Sequence, residues 1–187
     1  MSRSSTAFPG TSRRSDALRN RERLLEVARE LYAAHGTDVA LRDIAERAGV
    51  GVGTVYRHFP TPEAMLEAVM SDRFEALRVG AAALADAHDP RAALLDWLRT
   101  LIADLAEYRG LPSSSLAAMN DESSQLYRSC HGMRDAAEVL LRRAQQAGGI
   151  RPELRVGVLL RLAHALAMAE ENVELMLSML VTGIGRS

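Results

Sequence analysis

Cys130 and His131 are neighbours in the chain, a thiol beside an imidazole, the groups from which a nucleophile with its base or a metal site can be built. Adjacent residues on a helix point roughly 100° apart, so the two cannot converge on one atom, and no second His or Cys stands at ligand spacing. Cys130 falls on an apolar stripe and reads as a small core residue, with a redox-sensing thiol as the alternative. His35 and His88 stand beside turn residues at helix ends, where the helix dipole suffices to account for them. His164, between Ala163 and Ala165, suits a core, a subunit seam or a ligand hydrogen bond. Gly49-Val-Gly-Val-Gly has glycines spaced like a phosphate cradle, but a dinucleotide site needs a preceding strand and an acid about twenty residues later on a second strand. The pattern holds neither. With no paired carboxylates and no nucleophile beside a usable base, neither enzymatic activity nor a cofactor or metal is expected.

A different chemistry is legible just downstream. Val52, Gly53, Thr54, Tyr56, Arg57 and His58 are short, aromatic or basic and include no acid, a set that suits a phosphate-lined groove. These residues need a scaffold that turns them outward. Leu41, Ile44, Ala45 and Ala48 repeat at helical spacing before Gly49, and Val55 and Phe59 lie four apart after it. Two short helices with a glycine turn, preceded by a longer amphipathic helix carrying Leu24, Ala28, Leu31 and Tyr32, make the pattern of a helix-turn-helix. Thr61-Pro62-Glu63 starts a fourth helix, with an N-cap hydroxyl, proline at the first helical position and an acid in the first turn.

The rest of the 187-residue chain is also helical in pattern. Ala and Leu together number 56 against 16 Ile and Val, which favours helix over sheet, and strand alternation is absent. An all-α fold of about nine helices is expected. Leu94, Leu98, Leu101, Ile102 and Leu105 define one face of a segment that Trp97 and Tyr108 widen, so that helix is buried centrally. Leu126, Cys130, Met133, Ala137, Leu140, Leu141 and Ala144 stripe the helix from about 122 to 147. After Pro152, Leu159, Leu162, Leu166, Ala169, Val173, Met176 and Leu180 recur at alternating steps of three and four, the spacing of a helix–helix seam. A second column beside them leaves apolar surface for another subunit, and a single helix over 154–184 would be about 46 Å long at ~1.5 Å per residue, so a break near Glu170–Asn172 is expected.

The stretch from Arg23 to Gly36, followed by Leu41-Arg-Asp-Ile-Ala-Glu-Arg-Ala-Gly-Val and Gly53-Thr-Val-Tyr-Arg-His-Phe, resembles the DNA-binding domain of the tetracycline-repressor (TetR) family of transcriptional regulators. The resemblance is close over residues 21–70. Beyond them it is one of layout, with Ala147-Gly-Gly-Ile-Arg-Pro-Glu and its apolar helical tail resembling an actinobacterial-type subgroup. It implies a mobile basic arm over 1–14, a DNA-binding domain over 15–62 and a ligand-binding and dimerisation domain over 63–187. The function it implies is that of a homodimeric, sequence-specific DNA-binding protein, a repressor released from a pseudo-palindromic operator by a small, largely apolar effector. The contrasting reading is an all-α ligand carrier or enzyme whose helix-turn-helix is only structural.

Carried over residue by residue, the resemblance implies that Val52, Gly53 and Thr54 approach base edges, that Tyr56 and His58 bond phosphates, and that Arg42 and Arg57 reach a base or a phosphate. Three positions depart from the family pattern: Ala40 replaces a Thr that caps the second helix, Gly51 replaces a Ser, and Pro62 replaces a Lys that touches phosphate. The family's pocket lies among the middle helices, which makes Trp97, Leu101, Tyr108, Met119, Tyr127, Met133, His164 and Met168 the candidate lining. Asp104, Glu107 and Glu122 would favour a cationic ligand if they turned inward. The dimer seam falls to Leu159, Leu162, Leu166, Val173, Met176 and Leu180.

The net charge of −1 argues at first against a nucleic-acid partner. Divided at residue 60, however, the first part holds ten Arg against seven acids and the remainder thirteen Arg against seventeen. The first 23 residues alone hold six Arg and two acids, so a basic footprint lies beside the proposed reader. No run approaches the roughly 18 apolar residues of a membrane span, and the first residues lack the apolar centre of a secretory signal. A cytoplasmic protein is expected.

Overall fold

The computed structural model describes residues 10–107, 117–169 and 173–185. The described residues form eight helices and one isolated antiparallel bridge, and the chain divides into two compact units, Met1–Met65 and Leu66–Ser187.

In the first unit α1 (Gly10–His35), α2 (Leu41–Ala48) and α3 (Val52–His58) pack around a small core, and the first turn of α4 (Pro62–Leu84) completes it. Leu24, Ala28, Tyr32, Ile44, Ala45, Ala48, Val55 and Met65 are almost wholly buried. α1 begins at Gly10, five residues before the start read from the sequence, and residues 1–9 of the expected basic arm lie outside the described residues. The helix stops at Gly36, whose φ of 79° is left-handed and whose amide bonds the Tyr32 carbonyl at 2.9 Å.

Two capping details fix the turn between α2 and α3. Gly49 sits at φ 66°, its amide bonding Glu46 O and the Val50 amide bonding Ala45 O, each at 3.0 Å. This is a Schellman motif, and it needs a residue that tolerates the left-handed region. A Cβ at Gly49 would meet only the far end of Arg23, 3.5 Å away, so the glycine is required by backbone conformation rather than by space. α3 ends where Phe59 leaves helical geometry and buries its ring, with the Arg21 guanidinium 5.5 Å from the ring centroid. Thr61 Oγ1 accepts the Ala64 amide at 3.1 Å ahead of α4, the capped start read from Thr61-Pro62-Glu63.

The second unit is built around α5 (Pro90–Ala106), which packs against both α6 (Gln125–Gln146) and α7 (Val156–Ala167), while α8 (Val173–Ile184) packs on α7. Asp89 and Ser124 cap α5 and α6 by accepting the amides of Ala92 and Tyr127. Ala93, Leu94, Trp97, Leu98, Leu101 and Ile102 are all buried on α5, as expected of a helix apolar on two sides. Trp97 is committed to this core. It is 2% exposed and its indole N–H donates to Leu77 O on α4 at 2.9 Å. After α6, Gly148 in the left-handed region starts a tight turn, the Gln145 side-chain amide donates to Arg151 O and Leu154 O, and the Arg151 amide bonds Ile184 O. Gly149 lets this turn approach α5, since a Cβ there would stand 3.0 Å from Arg91 Cβ. The terminal apolar segment is two helices of 12 residues each.

Candidate nucleic-acid interface and ligand cavity

α3 is seven residues long and buries only Val55, so the side chains of its remaining turns are free for a partner. Tyr56 is 52% exposed and Val52 39%, Gly53 and Arg57 are exposed, and Thr54 and His58 are half-buried. Position 53 has open space around it, so nothing of the chain itself limits close approach of another backbone there. No acid lies in the first turn of α3, while Arg57 and His58 lie in its last. On α2 the Arg42 side chain is 80% exposed, with the exposed Asp43 carboxylate 3.8 Å away. All seven residues read as DNA contacts are therefore at least partly exposed on two short helices of one unit. Ala40 takes the extended N-cap conformation, φ −70° and ψ 140°, without a side-chain hydrogen bond, and Gly51 likewise caps α3 without one. Both departures from the family pattern thus leave first-turn amides without a side-chain acceptor.

The second unit contains an apolar cavity of about 250 Å³ between α4, α5, α6 and α7. Leu101, Met119, Met133 and His164 line it, four of the eight pocket residues read from the sequence. The other four are not in its lining or lie out of view. Trp97 is taken up by core packing and its bond to Leu77, Tyr127 stacks on His131 with ring centroids 3.8 Å apart, and Met168 is 37% exposed at the C-cap of α7. Tyr108 lies outside the described residues. Sequence reasoning missed Phe74, Leu105 and Leu160, and placed Cys130 in the core, whereas it is half-buried and borders the cavity. Burial pushes the Cys130 thiol up against the opposing pull of Arg134, which disfavours the reactive thiolate.

A smaller pocket of about 40 Å³ shares Phe74, Leu105 and His164 with this cavity and reaches Arg73 and Asp104. Asp104 does turn inward, but Arg73 pairs with it and stands 3.4 Å from Glu107. Burial raises the Asp104 carboxyl above its ordinary range, Arg73 pulls it down, and Glu107 raises it further. The expectation of a cationic ligand weakens accordingly, because the acid that turns inward already has an internal cation.

Of the six residues read as the dimer seam, two are buried within the chain. Leu159 and Leu166 are 0% and 7% exposed within the chain itself, because this face of α7 packs on α5 and α6. Leu162 and Met176 are 37% and 39% exposed and Leu180 is half-buried, while the side chain of Val173 lies outside those described. Leu175 and Met179, at 61% and 67%, are the more exposed apolar groups of α8.

Residues 24–69 match the family of bacterial regulatory proteins, tetR family, and residues 89–183 match the transcriptional regulator SbtR-like C-terminal domain. The chain belongs to the TetR family. Members are DNA-binding transcriptional regulators, and the TetR N-terminal match covers the α2–α3 pair described above. The TetR transcription regulatory protein from Mycobacterium vanbaalenii is 34% identical, with a TM-score of 0.64 over 92% of this chain and 98% of that one. The TetR regulator SCO0520 from Streptomyces coelicolor is 28% identical, with a TM-score of 0.70 over 89% and 99% of the two chains. The HTH-type transcriptional regulatory protein RaaS of Mycobacterium tuberculosis is 31% identical over 139 residues, 74% of this chain; the match spans 63% of the length of RaaS. No helix among the described residues is long and apolar enough to cross a membrane.

Proposed function

We propose that the protein is a homodimeric repressor whose α3 helices read two half-sites of a pseudo-palindromic operator, and that a small, largely apolar effector in the cavity of the second unit releases it. The observation that carries the reading is the exposed, acid-free face of α3, with the exposed Arg42 of α2 beside it, in a TetR-family chain: Tyr56, Arg57 and Arg42 are held outward by a buried Val55 and Ile44. Half-sites in such dimers lie about one helical turn, roughly 34–36 Å, apart. Effector coupling requires a ligand that binds the DNA-incompetent spacing more tightly than the competent one. α4 is the element that carries it, since the same helix starts in the reader unit at Pro62 and supplies Phe74 to the cavity wall. The exposed Leu162, Leu175, Met176 and Met179 supply the apolar surface on which a second copy packs.

The test is equilibrium titration of a duplex that the protein itself selects from random sequence, with and without apolar ligands that bind the second unit. Release of the duplex at saturating ligand is the expected result. Unchanged operator affinity with every bound ligand reduces the reading to a constitutive DNA-binding protein. Loss of specificity for any sequence returns the chain to the structural-scaffold alternative.

A further inference from the structure

The apolar cavity has a second one beside it along the helix pair α6 and α7, the two sharing Arg161, and we read them as the two ends of one groove. Cys130 and Met133 on α6 face Leu160 and His164 on α7 across the apolar end. One to three turns further along the same two helices, a second cavity of about 510 Å³ is walled by Arg134 and Arg142 from α6, by Arg155 at the N-cap of α7 and by Arg161 midway along it. Arg161 borders both cavities. The groove therefore changes from hydrocarbon to guanidinium along its length.

The charges at the basic end are not balanced from within. Glu138 is the acid in its wall and bonds Arg142 at 2.5 Å, while Arg134, Arg155 and Arg161 have no carboxylate partner among the described residues. One guanidinium nitrogen of Arg134 and one of Arg161 each lie 3.7 Å from the place a Cβ would occupy at Gly157, so both side chains reach over the same glycine. Two like charges held over one glycine repel unless an anion lies between them. That glycine stands in the first turn of α7, a turn with no acidic residue and no side-chain cap, so the helix terminus adds partial positive charge to the same cavity. Arginine presents a planar fork matched to phosphate oxygens.

Building on the effector reading given above, we infer that the effector is an amphipathic anion: an apolar chain or ring system seated on Phe74, Leu101, Leu105 and Met133, ending in a phosphate-class head group held by Arg134, Arg155 and Arg161. Three unpaired guanidinium groups and a helix terminus exceed what a neutral or singly charged end would satisfy, which favours a head carrying about two negative charges. The tail alone would gain area burial without specificity; the head fixes its direction along the groove.

The test is calorimetric titration of the full chain with decyl phosphate, decanoate and 1-decanol, each below its aggregation limit, together with the selected operator duplex. The expected result is at least tenfold tighter binding of decyl phosphate than of the other two, with that preference lost in the Arg134→Gln/Arg155→Gln variant. Both arginines are exposed, and retained operator binding by the variant reports that it is folded. Equal affinity for the three ligands, or an unchanged preference in the variant, overturns the head-group assignment even if decanol releases the operator. Conversely, preferential binding of decyl phosphate without any change in operator affinity leaves the head-group site standing and contradicts effector release.

Discussion

At the scale of single residues, exposure separates the groups proposed to contact DNA from those that hold the fold. Tyr56 and Arg42 project from helices whose opposite faces carry Val55 and Ile44 at 0% exposure. Arg42→Ala and Tyr56→Phe are each expected to weaken operator binding with little effect on the unfolding midpoint, as followed by anisotropy and urea titration. A phosphate contact at Arg42 would lower the slope of log K against log salt by about 1; unchanged affinity in both variants would show that this face is not the reader. Asp104 behaves differently because it is a half-buried carboxylate beside Arg73. Its folded-state pKa is raised, chiefly by burial, so it supports the fold below the ordinary carboxylate range and withdraws that support as pH rises through its folded value. The stability of Asp104→Asn relative to the unsubstituted chain should accordingly increase as pH rises across that window, read from the fluorescence of Trp97, the single tryptophan. A difference independent of pH would show that the carboxyl does not titrate differently in the folded state.

At the scale of elements, caps and stops were the features most directly written in the sequence. Gly36, Gly49 and Thr61-Pro62 end or start helices where their chemistry says they should, since a left-handed φ or an N-cap hydroxyl is a local requirement that one or two residues can announce. The apolar stripe of α6 was legible for the same reason, because a period of 3.6 is local. The start of α1 was less so: the Ser-, Thr- and Arg-rich stretch before Ser15 lacks an apolar period, yet the helix extends back to Gly10. α2 exposes a defect that can be repaired. Ala40 already has the extended geometry of an N-cap but no oxygen to bond the first-turn amides, so Ala40→Ser is expected to stabilise the chain by about 1 kcal/mol, measured as a raised urea midpoint at unchanged slope. No gain would mean that water already satisfies those amides as well as a hydroxyl does.

At the scale of the whole molecule, the sequence was informative about partition and less so about which faces meet. The excess of arginine over acids in the first 60 residues and its reversal beyond them separate a basic first part from an acidic remainder. The cavity could be read only in part, because its walls come from four helices far apart in the chain: Leu101, Met119, Met133 and His164 were found from type and face, whereas Phe74 and the Arg73–Asp104 pair, 31 residues apart, carry no local signal. Trp97 could not be assigned from sequence because a scarce aromatic suits a ligand wall and a core equally well until its indole partner, Leu77 O, is known. The seam residues divided for a related reason, as α7 is apolar on more than one side and periodicity alone does not say which column faces inward. Leu159 faces its own core, while Met176 and Met179 on α8 remain exposed. Met176→Glu/Met179→Glu should therefore convert a dimer to monomer in sedimentation, with helicity retained; a dimer that survives both charges would place the subunit contact elsewhere.

The central claim is that α3 and α2 read a specific duplex as a symmetric pair. Its most direct test is anisotropy titration of the selected duplex against a scrambled duplex of equal length at physiological salt, with stoichiometry determined in the same experiment. The expected outcome is a pseudo-palindromic site bound by two protomers at least about a thousandfold more tightly than the scrambled sequence. Equal affinity for both duplexes, each lost together as salt rises, would contradict the account and leave only nonspecific attraction to the basic first 23 residues.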